Sequence, residues 1–222
     1  MSRDLWVGTR KGLFHIQRDD GGAWSIANTF FLGDPVSLVL VEPGGKRIHA
    51  ALDLGHFGIK MQRTEDGGST WEESAVPAYP EKPEGLVDLD PGRGLEIPWT
   101  TKLIWALAQG PGKELWCGTL PGGLFHSKDG GDSWEIVRSL WDDERRGKMF
   151  GGGYDLPAIH SILVDPRDAK HVTIAISVGG VWKTCDGGAT WDLVGEGLRA
   201  AYMPEESAGD PITQDPHCVV SC

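Results

Sequence analysis

The chain has no concentration of positive charge. Its 21 Lys and Arg stand against 32 Asp and Glu, a net charge of −11 over 222 residues, and holding a phosphate backbone depends on clustered cations. Nucleic acid is therefore excluded as a partner. The doublet Arg145-Arg146 is offset by Asp142, Asp143 and Glu144 and reads as an exposed mixed-charge loop. There is no apolar run long enough to cross a bilayer, so no membrane partner is expected. Strand-like Leu5-Trp6-Val7 follows Met1 too closely for a signal peptide, which makes the expected location cytoplasmic. Cysteine is scarce: Cys117, Cys185, Cys218 and Cys222 show no metal-type spacing and no disulfide framework, and reduced thiols are expected. A sustained helical period is also missing, whereas 32 Gly, 14 Pro and 10 Trp suit many short strands joined by turns. The composition is all-β.

What the chain does have is a repeat. Thr64-Glu65-Asp66-Gly67-Gly68-Ser69-Thr70-Trp71 returns as Ser127-Lys128-Asp129-Gly130-Gly131-Asp132-Ser133-Trp134 and as Thr184-Cys185-Asp186-Gly187-Gly188-Ala189-Thr190-Trp191. Asp19-Asp20-Gly21-Gly22-Ala23-Trp24 is a worn, shortened copy. Asp-Gly and Gly-Gly supply the positive φ that a tight turn demands, and the Asp carboxylate can accept bonds from the turn's own amides. The Trp offers a large apolar face to its neighbours. A calcium loop is the alternative reading, but each copy has too few carboxylates at alternating positions for a cation needing six or more oxygens. Asp66, Trp71, Asp129, Trp134, Asp186 and Trp191 are accordingly read as structural residues.

These residues resemble the Asp-box, or bacterial neuraminidase repeat, Ser/Thr-x-Asp-x-Gly-x-Thr/Ser-Trp. The resemblance implies a sialidase-like β-propeller, with each box on the turn between the third and fourth strands of a blade, at the rim and away from any catalytic centre. Members of this group, which includes endoglucanases, sortilin-like receptors and photosystem assembly factors, commonly have six or seven blades. Fold analogy thus spans catalytic and binding roles.

Strand pairs at 5–9 and 12–16, 47–52 and 57–63, 114–119 and 123–127, and 171–177 and 180–184 each lead into a box. The three later pairs are preceded by a short apolar strand ending at a Pro, at 37–43, 105–111 and 160–166, with the outer strands starting at Trp71, Trp134 and Trp191. Residues 1–222 then form a single propeller region with blades at 1–34, 35–101, 102–157 and 158–214. Residues 215–222 resemble an inner strand, which either closes a four-bladed ring or, as we expect, opens a fifth blade of a six- or seven-bladed one.

Alignment on the Pro puts Ser37, Trp105, His160 and His217 at one repeat position, the start of the inner strand. The long connections 72–101, 139–158 and 195–216 all fall between an outer and the next inner strand, which is where repeat proteins build binding surfaces. They bring Asp88, Glu96, Trp99, Tyr154, Asp155, Tyr202, Asp210 and Asp215 to that face. His160, His217, Trp105, Trp99 and His56 are the candidate ligand-binding residues. Paired imidazoles suit a metal held with Asp155 or Asp215, a substrate to orient, or simple bonding to adjacent backbone; no metal and no cofactor is assigned.

A glycosidase needs two carboxyl groups flanking the scissile bond, and Glu96, Asp155 and Asp215 are the candidates. The Phe/Tyr-Arg-Ile-Pro start typical of sialidases is absent, and Arg10 and Arg93 are isolated where an arginine cluster is needed. The leading expectation is therefore a ligand- or protein-binding scaffold for a carbohydrate or peptide ligand. The alternative is a sialidase-like or endoglucanase-like glycoside hydrolase.

Overall fold

The computed structural model describes residues 3–221; Met1, Ser2 and Cys222, which carry part of the readings on leader, thiols and last strand, lie outside them. The chain forms two compact units, Met1–Val76 and Pro77–Cys222. The fold is all-β, with four antiparallel sheets of three or four strands each, the strand plan of blades in a partial β-propeller. Among the described residues, no helix is long and apolar enough to cross a membrane.

In the first unit, β1 (Asp4–Thr9), β2 (Gly12–Arg18) and β3 (Trp24–Phe30) make a three-stranded meander. The four-stranded sheet β4 (Val36–Val41), β5 (Ile48–Asp53), β6 (Ile59–Thr64) and β7 (Glu72–Ser74) follows. The second unit repeats the four-stranded plan twice: β8 (Leu103–Gln109), β9 (Leu115–Leu120), β10 (Leu124–Ser127) and β11 (Glu135–Ile136), then β12 (Ile159–Val164), β13 (Val172–Ile176), β14 (Gly180–Thr184) and β15 (Asp192–Val194). Strands run along each sheet in chain order, as short hairpin turns require. The outer strands begin one residue after their Trp, because Trp71, Trp134 and Trp191 close the turn before the ladder starts.

The three eight-residue turns share one hydrogen-bond plan. Thr64 Oγ1 donates to Asp66 Oδ1 (2.7 Å) and accepts from the Gly68 amide (3.0 Å), while the Asp66 carboxylate accepts from the Thr70 amide (2.9 Å) and hydroxyl (2.7 Å). Ser127, Asp129 and Ser133 repeat it, as do Thr184, Asp186 and Thr190. The worn copy keeps only the amide bond, from Ala23 to Asp19 Oδ1 (2.9 Å), and its Trp24 is 45 % exposed against 6 % for Trp191. In each full turn these bonds favour the ionised Asp. The Thr70 amide, with the Thr64 and Thr70 hydroxyls, holds the Asp66 carboxyl down at about 2. A depressed folded value means that the linked stability is fully present above the ordinary carboxylate range and is lost as pH falls toward 2. The carboxyl ¹³C shift of Asp66 should therefore titrate near pH 2, and a midpoint near 4 would show the turn bonds to be absent in solution.

The second glycine of the turn lets it sit on an aromatic of the sheet before it. A Cβ on Gly68 would lie 2.9 Å from Trp6, and one on Gly188 would lie 3.2 Å from Trp116. Those two tryptophans stack on His15 and His126 with centroids 4.3 and 4.2 Å apart. Leu5-Trp6-Val7-Gly8-Thr9 and Leu115-Trp116-Cys117-Gly118-Thr119 are thus a second repeat, each followed by Gly-Leu-Phe-His. The first unit centres on Leu13, Val36, Ala50 and Leu52, and the second on Trp116, Leu124, Ile159, Ile174, Trp182 and Trp191.

Three features lie outside what the spacing indicates. Residues 215–221 join no sheet among the described residues; the segment meets β12 through Ser161, whose hydroxyl accepts from the Val219 amide (3.2 Å), and through the His217 ring, 4.7 Å from that of His160. A single helical turn, α1 (Arg138–Trp141), and a 3₁₀ turn, Glu144–Lys148, follow β11. They are too short to leave a period in the sequence. In addition, residues 77–101 pack within the second unit, where the Tyr79 hydroxyl accepts from the Gly123 amide (3.0 Å) and lies 2.6 Å from Thr119 Oγ1.

Candidate functional site

The inner strands β4, β8 and β12 each carry one extra residue against their partner. Pairing steps from Val36 to Leu38, from Ile104 to Ala106 and from Ile159 to Ser161, so Ser37, Trp105 and His160 are the bulged residues. A bulge frees one residue from the ladder and re-aims its side chain. The repeat position found by aligning on the Pro is thus a position outside the pairing register.

β12 packs beside β8 and β9 within the second unit, which brings two bulges together. The Trp105 and His160 rings lie 4.2 Å apart at 31°, Tyr154 meets Trp105 at 4.9 Å and 77°, and His217 meets His160 at 4.7 Å and 86°. These four line a pocket of about 360 Å³ with Gly153, Leu156, Ala158 and Ser177. That volume lies at the small end of ligand sites.

The pocket is held in place from behind. Asp90, fully buried, accepts from the Gly92 and Arg93 amides (3.0 and 2.8 Å) and from the Gly151 amide (2.6 Å), pinning the loop before Tyr154 to the loop 77–101. Asp215 accepts from the amide of Val178 (3.3 Å), a β-branched residue held at φ 41° in the hairpin beyond Ser177. Such a conformation persists only where its surroundings enforce it. Asp215 also approaches His217 Nε2 at 3.4 Å. Burial, and then His217, lower the His160 pKa below the ordinary imidazole value, with Asp215 opposing them. The neutral form of His160 is thereby favoured.

The other candidates lie elsewhere. The Trp99 Nε1 donates to Asp88 (2.9 Å) and its ring meets Trp141 at 5.2 Å, with the Arg146 guanidinium 4.2 Å over Trp141, a packed cluster outside the pocket lining. Glu96 is paired with Lys82 (2.6 Å) and Asp155 with Arg93; both are exposed and neither lines the pocket. His56 belongs to the first unit, on a 3₁₀ turn against Phe57. No group of three His, Cys, Asp or Glu among the described residues is arranged to hold a metal ion. Tyr154, which its loop already brings to this face, joins the ligand-binding candidates here; Ser177 and Asp90 are site residues that the sequence does not single out, since nothing in the letters marks Asp90 as a buried anchor.

No family model matches the chain. It is 26% identical over 132 residues to the photosystem II assembly lipoprotein Ycf48 of Synechococcus sp. (strain CC9902), covering 60% of this chain and 30% of that protein. It is 33% identical over 82 residues to an oligoxyloglucan-reducing end-specific xyloglucanase of Emericella nidulans, covering 36% of this chain and 9% of the enzyme. Among solved structures, the GH74 xyloglucanase from Xanthomonas campestris aligns with a TM-score of 0.49 at 14% identity, over 89% of this chain and 29% of that one. The chain spans less than a third of the length of either curated relative.

Proposed function

We propose that this segment is a binding scaffold, and that its pocket at Trp105, Tyr154, His160 and His217 receives a carbohydrate or peptide ligand. The observation that carries the reading is the meeting of two bulged residues in one ring-lined pocket. Bulges beside a cleft are places where a strand presents a side chain for use. In the same reading the three eight-residue turns are Asp-boxes, structural only, and the protein works in the cytoplasm with its thiols reduced. The relatives comprise a photosystem II assembly lipoprotein and a xyloglucanase. The carboxylates support binding over hydrolysis: Glu96 and Asp155 are each held by a cation, and Asp215 by an amide and an imidazole.

Peptide and glycan arrays probed with the chain test this. Trp105→Ala should lose at least tenfold in affinity for any ligand retained by the parent, through lost ring contact, while its melting temperature stays within a few degrees because residue 105 carries no ladder pairing. Parental affinity in that variant would overturn the reading. So would hydrolysis of a glycoside by the parent that disappears in Asp155→Asn or Asp215→Asn.

A further inference from the structure

We propose that the pocket takes a quaternary ammonium group, such as that of choline or a trimethylated lysine side chain. The inference deepens the binding reading and rests on it. Trp105 and Tyr154 meet nearly at right angles, as do His160 and His217, so the lining turns ring faces in more than one direction. Faces of Trp and Tyr attract cations through the negative potential above the ring, and cages of such rings recognise methylated ammonium. Among the described residues lining the pocket there is no Lys or Arg. The formal charge nearest the imidazoles is Asp215, whose field reaches both His160 and Tyr202. A cation in the pocket thus has a carboxylate behind the lining and no Lys or Arg in it.

The chemistry of the lining selects methylated over primary ammonium. Leu156, Ala158 and Gly153 accept no side-chain hydrogen bond, and Asp215 stands behind the lining with its oxygens already directed to Val178 and His217. A primary ammonium would have to exchange three donor bonds to water for those that the Ser177 and Tyr154 hydroxyls and the imidazoles can accept, and any left unmade is costly. A quaternary one has no donors to lose. The chain's net charge of −11 further favours a cation on approach.

Calorimetric titration of the full chain with choline and with its uncharged isostere 3,3-dimethylbutan-1-ol separates charge from shape. We expect choline to bind about tenfold more tightly than the alcohol, and Asp215→Asn to weaken choline while leaving the alcohol unchanged. A peptide carrying trimethyl-lysine, run beside the same peptide with unmodified lysine, distinguishes the sources. Tighter binding of the methylated peptide than of choline identifies a protein tail, and equal binding identifies a small free amine. Equal affinity for choline and the alcohol, or for methylated and unmodified peptide, would overturn the cation proposal and leave the pocket a binding site. Failure of every probe, with Trp105→Ala still abolishing retention on the arrays, would likewise overturn it alone. Should Asp215→Asn unfold through loss of its bond to Val178, Tyr154→Leu serves instead, expected to weaken choline and spare the alcohol.

Discussion

Gly118→Val should destabilise the second unit by roughly 3 kcal/mol, the upper part of the range for overpacking a filled interior, and should abolish ligand binding at the pocket as well. A Cβ at this position would stand 2.6 and 2.7 Å from Ile159 Cγ2 and Cβ and 3.0 Å from the Ile159 carbonyl oxygen. Side-chain rotation cannot relieve a clash with Cβ and backbone, so β12 itself must move. Ile159 immediately precedes the bulged His160, and displacing it shifts the ring that faces Trp105 and His217. Gly8 plays the same part in the first unit, where a Cβ would lie 3.1 Å from the Val36 carbonyl, next to the bulged Ser37. Urea denaturation of parent and variant checks the stability change, and titration with a ligand of the parent checks the site. A parental midpoint in Gly118→Val would mean that the sheets are not packed this closely.

Trp182→Ala should cost about 3–5 kcal/mol, as removal of a fully buried indole does when the surroundings cannot collapse into the space. Trp182 has no exposed surface and lies among Trp116, Ile174 and Trp191. Its Nε1 donates to the Gly179 carbonyl (2.7 Å), and the Arg145 guanidinium lies 4.4 Å over its ring. Truncation therefore removes packing, a hydrogen bond and a cation–π contact together. The denaturation midpoint should fall with an unchanged slope, since the surface exposed on unfolding is nearly the same. A loss under about 1 kcal/mol would show that this part of the core refills.

The blade plan was readable because its signals are local. Asp, paired Gly and a hydroxyl at fixed offsets make a turn from their own atoms, and Pro marks the end of each inner strand, so the strand boundaries in 36–64, 103–136 and 159–194 fall close to the spacing-based ones. The same alignment found Ser37, Trp105 and His160 equivalent, but not that they are bulged, because a bulge is a property of two strands in register and each strand looks regular alone. The pairing of Trp6 with His15 and of Trp116 with His126 also stands in the letters as a repeat, yet its use is visible only in the distances. Trp99 had the same claim to a cleft as Trp105 by composition. What separated them is Asp88, which takes the Trp99 Nε1 into a packed cluster. Glu96 and Asp155 were chosen as carboxylates in loops, and their partners Lys82 and Arg93 are 14 and 62 residues away, beyond any local pattern. Residues 215–221 carry the letters of an inner strand and form no ladder among the described residues.

The bulges at Ser37, Trp105 and His160 separate two kinds of selection along the same strand. Residues in the ladder are constrained by what their neighbours in the sheet accept. The bulged one answers to whatever occupies the space in front of it. A chain that duplicates such a unit copies the sheet and, with it, one freely variable address per copy, so Ser, Trp and His stand at equivalent places without disturbing the pairing on either side. New specificity can then arise by changing single letters at addresses fixed beforehand, with the architecture inherited intact.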